Sequence, residues 1–153
     1  MKINIRKLLL SILIPVLLGG LVGLITGAGN NYKNLIQPSF APPSFLFPIV
    51  WTILYTLMGI SSYIISESNS YLSGEALTIY VIQLIVNLLW SIIFFVFNWY
   101  FLAFLWILLL IVLVILMIKR FYSISRISGL LQIPYLLWLI FAAILNLAIV
   151  ILN

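Results

Sequence analysis

An all-α integral membrane protein is the fold class that three observations predict. Of the 153 residues, 66% are hydrophobic and 6% charged, and mean hydropathy is +1.36, far outside soluble-domain usage. Five apolar stretches approach the ~20 residues that a spanning helix needs at 1.5 Å rise each. Their apolar character is continuous rather than alternating, which excludes barrel strands. The expectation is one domain over residues 1–153, a bundle of five transmembrane helices with a Pro-rich loop.

The spans fall at Leu8 to Ala28, Phe47 to Ser66, Leu77 to Phe97, Phe101 to Ile118 and Leu130 to Leu152. Lys2, Arg6 and Lys7 ahead of the first stretch resemble the basic start of a secretory signal. The apolar run is long for such a signal and no clear A-x-A site follows it, so it is expected to stay as a span. The third and fourth stretches would fuse into one overlong run but for Asn98-Trp99-Tyr100, whose polar and interfacial side chains predict a tight helical hairpin. Lys119, Arg120 and Arg126 follow the fourth span, and Lys33 alone lies on the other side. The excess of basic residues on one side places the amino terminus in the cytoplasm and the carboxyl terminus outside a cell membrane. The net charge of +5 is thus topology signal, and no clustered basic face suggests nucleic acid.

The connection from Gly29 to Leu46 is long for a bundle and carries Pro38, Pro42 and Pro43, with Pro48 opening the next span. Proline fixes φ and holds its predecessor extended, so Gln37 to Pro43 should form a stiff, folded-back strap. Loops of this length serve as lids or binding loops, or as plain connectors. Glu67 to Ala76 reads as a solvated loop, with Glu75 favourably placed at a helix start.

Composition removes whole classes of chemistry. The chain has no His and no Cys, which excludes thiolate nucleophiles, disulfides, structural zinc and His- or Cys-ligated haem. Two acids, Glu67 and Glu75, provide neither a triad partner nor a carboxylate cage for a metal. No tightly bound cofactor is expected.

Polar residues inside the spans carry the remaining information. Trp51, Tyr55, Gly59 and Tyr63 recur every four residues; Tyr80, Gln83, Asn87, Trp90, Ser91 and Phe94 follow helical spacing, as do Tyr135, Trp138, Ala142, Leu145 and Asn146 downstream of Pro134. An amide or indole facing lipid would lack partners, so these stripes should face one another. Two readings follow: an apolar cavity with a few orienting donors, suited to flat, ring-shaped or lipid-like ligands, or amides that merely tie helices together. Trp99, Tyr100, Phe121 and Tyr122 sit at span ends as an interfacial belt. Gly19, Gly23 and Gly27 form two G-x-x-x-G steps that would admit a neighbouring backbone, from the same chain or a second copy.

The chain resembles the translocator protein, or TspO/MBR, family. The resemblance rests on Gln37-Pro38-Ser39-Phe40-Ala41-Pro42-Pro43, then Trp51, Tyr55, Met58-Gly59 and Ser62-Tyr63, then Gln83, Asn87, Trp90 and Phe94-Phe95. It ends with Pro134-Tyr135, Trp138, Phe141-Ala142 and Leu145-Asn146. It implies a five-helix bundle, often a homodimer, with a pocket closed by the first loop and surrounded by membrane lipid. Family members bind porphyrins such as protoporphyrin IX and isoquinoline carboxamide or benzodiazepine-type ligands. Animal members bind cholesterol, and bacterial members are associated with light- and oxygen-dependent protoporphyrin breakdown.

Carried over by position, the implied ligand site is Tyr32, Pro42, Trp51, Tyr55, Asn87, Trp90, Ser91, Trp138, Ala142 and Asn146. Trp51 and Trp138, expected on opposite walls, are the implied redox-active pair. The animal sterol pattern of L/V, Tyr and Lys/Arg has no counterpart in Leu145 to Asn153. Asn31 and Gln37 replace the Trp and Lys that many members carry, leaving Lys33 as the loop's cation. The resemblance implies tetrapyrrole binding with photo-oxidative degradation; the alternatives are a transporter of porphyrins or lipids, or a ligand-responsive membrane sensor. No intramembrane charge or internal repeat of the kind transporters use is evident.

Overall fold

A computed structural model describes residues 2–153, and those residues form helices without a strand. The first span is α1 (Ile5–Thr26), followed by a short α2 (Ala28–Lys33). The second is α3 (Leu46–Glu67). The third is α4 (Ser73–Ser91), which continues through a π-helical turn at Ile92–Val96. The fourth is α5 (Tyr100–Ile124), and the fifth runs through α6 (Arg126–Leu130) and α7 (Ile133–Leu152). All five are long and apolar enough to cross a membrane. Around the bundle the order is α1, α3, α7, α5, α4, with α4 returning to α1.

Local signals set the boundaries. The Asn4 side chain accepts from Lys7 N at the start of α1, and Gly27, at φ 63°, ends that helix in the left-handed conformation that glycine adopts without steric cost. Asn98, at φ 56°, provides the reversal between α4 and α5, and asparagine tolerates that region better than most residues. The expected hairpin is therefore present, three residues long from Phe97 to Trp99.

Two expectations about the first third of the chain need correction. The stretch from Gly29 is not irregular throughout, because Gly27 starts a second helix as well as ending the first. Asn31 Nδ2 then bonds back to Thr26 O at 2.9 Å, fastening α2 across the turn. The glycine steps of α1 also do not form one continuous packing face. Gly19 is pressed against the Tyr55 ring, Gly23 meets nothing within 4 Å, and Gly27 is the cap.

The close backbone approach instead occurs at Gly59. A Cβ there would sit 2.4 Å from Ile12 Cα and 2.5 Å from Ser11 O. Pro15 lies four residues beyond Ser11 and has no N–H to give that carbonyl, so Gly59 meets α1 where its hydrogen-bond ladder is interrupted. This contact and Gly19 against Tyr55 fix α1 along α3, although α1 otherwise leaves Leu9, Leu13, Leu17 and Leu21 exposed on its outer face.

The two ends of the bundle differ. Lys7 pairs with Glu67, and Arg120 Nη2 lies 2.9 Å from Glu75 Oε1, so the acids join the basic residues at one end. Toward that end the interior is solid, filled by Met58, Ile65, Ala76, Val114, Met117 and Phe121. At the other end, Phe47 meets Trp138, well before α7 finishes at Leu152. The Pro-rich strap lies along the remainder of α7: Phe40 packs on Phe141 at 6.4 Å, and Asn153 exchanges two hydrogen bonds with the backbone of Ile36 at 3.1 and 2.9 Å.

Gly59→Ala should force α1 away from α3 and lower stability by about 1–3 kcal/mol, the usual cost of overpacking, whereas Gly23→Ala should be neutral or slightly stabilising. Thermal unfolding of the two variants in detergent checks both.

Candidate functional site

Packing at the basic end and the strap at the other leave a cavity of about 540 Å³ between them, within the range of ligand sites. Every element around the bundle contributes. Val16, Gly19 and Gly23 come from α1, and Tyr32 from α2. Phe47, Trp51 and Tyr55 come from α3, with Asn87, Trp90, Ser91, Phe94 and Phe95 from α4 and its π turn. Ile107 and Leu110 belong to α5, and Trp138, Ala142 and Asn146 to α7. No charged side chain is among its lining residues. Glycines on the α1 side leave room opposite the aromatic faces.

Of the residues carried over from the family, Tyr32, Trp51, Tyr55, Asn87, Trp90, Ser91, Trp138, Ala142 and Asn146 border this cavity. Pro42 does not. Its carbonyl instead accepts from Tyr32 Oη at 2.7 Å, so Pro42 fastens the strap rather than forming the wall. Trp51 and Trp138 are not on opposite walls. Phe47 is in ring contact with Trp138 at 5.9 Å, and Trp51 with Tyr135 at 6.1 Å. The antiparallel pairing of α3 with α7 thus puts the two indoles on adjoining walls.

The amides serve both of the uses considered above. Tyr55 Oη donates to Asn87 Oδ1 at 2.8 Å, Asn87 Nδ2 to Tyr135 Oη at 2.7 Å, and Tyr135 Oη to Gln83 Oε1 at 2.8 Å. This chain joins α3, α4 and α7 beneath the cavity. Beside it, Trp90 Nε1 donates to Asn146 Oδ1 at 3.1 Å, and Asn146 Nδ2 donates to Tyr100 O at 3.0 Å. Asn87 and Asn146 therefore face the cavity with their amides already engaged between helices. What the wall offers a ligand is chiefly aromatic surface.

Phe47 and Phe95 extend the aromatic wall beyond the implied ligand site. Phe47 is four residues before Trp51 and could have been found by continuing that stripe backwards. Phe95 follows Ser91 by four residues and so shares a helical face with Ser91 and Phe94; it also stands in the Phe94-Phe95 pair of the family motif. A π turn spans Ile92–Val96 in this stretch, and Phe97 N accordingly bonds to Ile92 O, five residues back, at 3.1 Å. Trp106 also escaped notice; its Nε1 donates to Val86 O at 2.8 Å and ties α5 to α4.

The strap is fastened to α2 through a short relay. Besides the Tyr32 to Pro42 bond, Gln37 Nε2 donates to Tyr32 O at 2.8 Å, and Ala41 N to Pro38 O at 3.1 Å. The strap is thus folded back on itself, as its prolines predict. Burial pushes the Tyr32 phenol above the ordinary tyrosine value of 10.0. Lys33, next to it, is exposed at the end of α2.

Residues 11–152 match the TspO/MBR family. The chain is 38% identical to "Tryptophan-rich protein TspO" of Archaeoglobus fulgidus, covering 98% of this chain and 99% of that one. It is 33% identical to "Tryptophan-rich sensory protein" of Cereibacter sphaeroides, over 75% and 72% of the two chains. It is also 33% identical to "Translocator protein" of Sus scrofa, over 80% and 75%.

Tyr32→Phe removes one hydrogen bond from the strap, a loss of about 0.5–1.5 kcal/mol, and should speed tryptic cleavage after Lys33 several-fold. The same bond should hold fully below pH 10 and weaken as pH rises through the raised Tyr32 value, because only the protonated phenol donates. Cleavage rates across that pH range, taken as the ratio of the wild type to the Phe variant so that the titration of Lys33 and of the protease cancels, measure both effects.

Proposed function

The chain belongs to the TspO/MBR family, and from that premise we propose that it binds tetrapyrroles such as protoporphyrin IX in the aromatic cavity and promotes their light- and oxygen-dependent degradation. The observation that carries this reading is the uncharged space of about 540 Å³ walled by Trp51, Tyr55, Trp90, Phe94 and Trp138. A flat, polarisable ring gains dispersion and edge-to-face contacts there, while a charged or strongly hydrated ligand would lose its solvent without replacement. Isoquinoline carboxamide and benzodiazepine-type ligands satisfy the same walls. The two anionic groups of protoporphyrin would point toward the strap end, where Lys33 stands exposed.

Excitation and oxygen chemistry belong to the pigment, and the protein's part is to hold it against donors and away from competing reactions. Indole is the most readily oxidised side chain on these walls. Trp51 and Trp138 are the pair assigned to electron donation. Their adjoining positions allow both to lie against neighbouring edges of one bound macrocycle.

The bilayer orientation follows from charge. Lys2, Arg6, Lys7, Lys119, Arg120 and Arg126 belong to one end and Lys33 to the other, an asymmetry that supports a cytoplasmic amino terminus. A sensory role is the second reading. It is favoured by the name of the Cereibacter sphaeroides relative and by the strap, whose ties to Asn153 lie on the surface where a bound ligand could alter them.

Trp51→Phe with Trp138→Phe should keep dark binding of protoporphyrin IX within a few-fold and abolish its light-dependent loss. Absorbance spectra recorded in light and in darkness measure both. A double variant that consumes porphyrin at the wild-type rate would refute the assigned role.

A further inference from the structure

Both acidic side chains of the chain are committed at its basic end. Lys7 pairs with Glu67 and Arg120 with Glu75, and the sequence has no other Asp or Glu. Among the described residues, four cations at that end are therefore left without an acidic partner: Lys2 and Arg6 at the start of the chain, and Lys119 and Arg126 where α5 meets α6. All four are exposed.

The two pairs are held differently. Lys2 precedes α1 and Arg6 lies in its first turn. The junction of α5 and α6, by contrast, is clamped. A Cβ on Gly129 would lie 2.6 Å from Tyr122 Cβ and 2.8 Å from Tyr122 Cα, so α6 folds back tightly against the last turns of α5. Ser61 Oγ on α3 donates to Ser128 O at 3.2 Å, and the buried Gln132 Nε2 donates to Ser61 Oγ at 2.8 Å and to Leu57 O at 3.2 Å. Arg126 thus starts a fixed turn, and Lys119 and Tyr122 share a face of the neighbouring helix at three-residue spacing.

Depth in the bilayer completes the picture. The 20 residues of α7 measure about 30 Å at 1.5 Å rise, the thickness of the hydrocarbon core. What precedes α7, namely α6 and the end of α5, then lies at headgroup level. There the junction offers apolar surface beside its cations: Ile127, Leu130 and Tyr122 are 65%, 50% and 47% exposed. A small free anion would use the cations alone. A phospholipid uses both, because its phosphate meets the charges while its glycerol and upper acyl segments cover the apolar side chains.

We propose that the α5–α6 junction is a binding site for an anionic phospholipid of the surrounding leaflet, with Lys119 and Arg126 on the headgroup and Ile127 and Leu130 against the chains. The guanidinium of Arg126 suits a phosphate oxygen pair, and Lys119 adds a second positive charge. The site requires nothing of the internal cavity, so it stands or falls apart from the porphyrin reading.

Native mass spectrometry of the full chain in detergent, titrated with phosphatidylglycerol or phosphatidylcholine, tests this. Phosphatidylglycerol should bind first and about tenfold more tightly. Lys119→Gln with Arg126→Gln should weaken that first step about tenfold or more and erase the preference, whereas Lys119→Arg with Arg126→Lys should keep it. Lys2→Gln with Arg6→Gln removes the same charge from the same end and should change the step less than twofold. If the first Gln pair lowers the unfolding temperature, Arg126→Gln alone carries the test, with an expected loss of about fivefold. Equal losses from the two Gln pairs would reveal diffuse attraction to the leaflet and overturn the site. So would equal binding of the two lipids, or displacement of phosphatidylglycerol by millimolar glycerol phosphate, the mark of a site for free anions.

Discussion

The hydrogen-bond chain from Tyr55 through Asn87 and Tyr135 to Gln83 is the tie on which the cavity depends. In hydrocarbon an amide has no water to fall back on, so each of these groups must find a partner inside the protein. By finding them in one another they set the separation of α3, α4 and α7 at the level of the cavity floor. Trp51 rests on both tyrosines of this chain, 5.3 Å from Tyr55 and 6.1 Å from Tyr135 between ring centroids. A proposed redox residue is thereby positioned by the same bonds that hold the bundle.

The consequence for ligand recognition is selective. Because Asn87 and Asn146 are engaged between helices, the walls discriminate mainly by shape and aromatic contact. Such a site suits a family of flat ligands better than one compound, since it demands few matched donors and acceptors. Space for the ligand comes from the opposite choice on α1, where Gly20 and Gly23 withhold side chains and nothing lies within 4 Å of where a Cβ would be. Gly59 keeps α1 close enough to serve as the last wall.

The number of spans, the hairpin at Asn98 and the inward faces of three helices were legible because each depends on a local or periodic property. Continuous apolarity gives spans, and three- or four-residue spacing gives faces. The π turn was not legible: it shows only in the bonding of Phe97 to Ile92. The glycines of α1 were misjudged for a related reason. Spacing identifies residues that permit close approach, but Gly59, outside that motif, is where the backbones meet. Pro42 and the adjoining placement of Trp51 and Trp138 were likewise beyond reach, since both follow from how the strap and α3 lie against α7. The engagement of Asn87 and Asn146 depends on partners distant in sequence, and composition alone left cavity and tie as equal readings.

The account rests on a flat ligand entering an aromatic cavity whose amides remain committed to the bundle. The most direct measurement is a structure of the protein in lipid with protoporphyrin IX, obtained in darkness. The expected result is a macrocycle lying against Trp51 and Trp138, facing the glycines of α1, with the Tyr55 to Gln83 chain intact. A macrocycle bound outside the cavity, or one that draws Asn87 and Asn146 away from their helix partners, would contradict it.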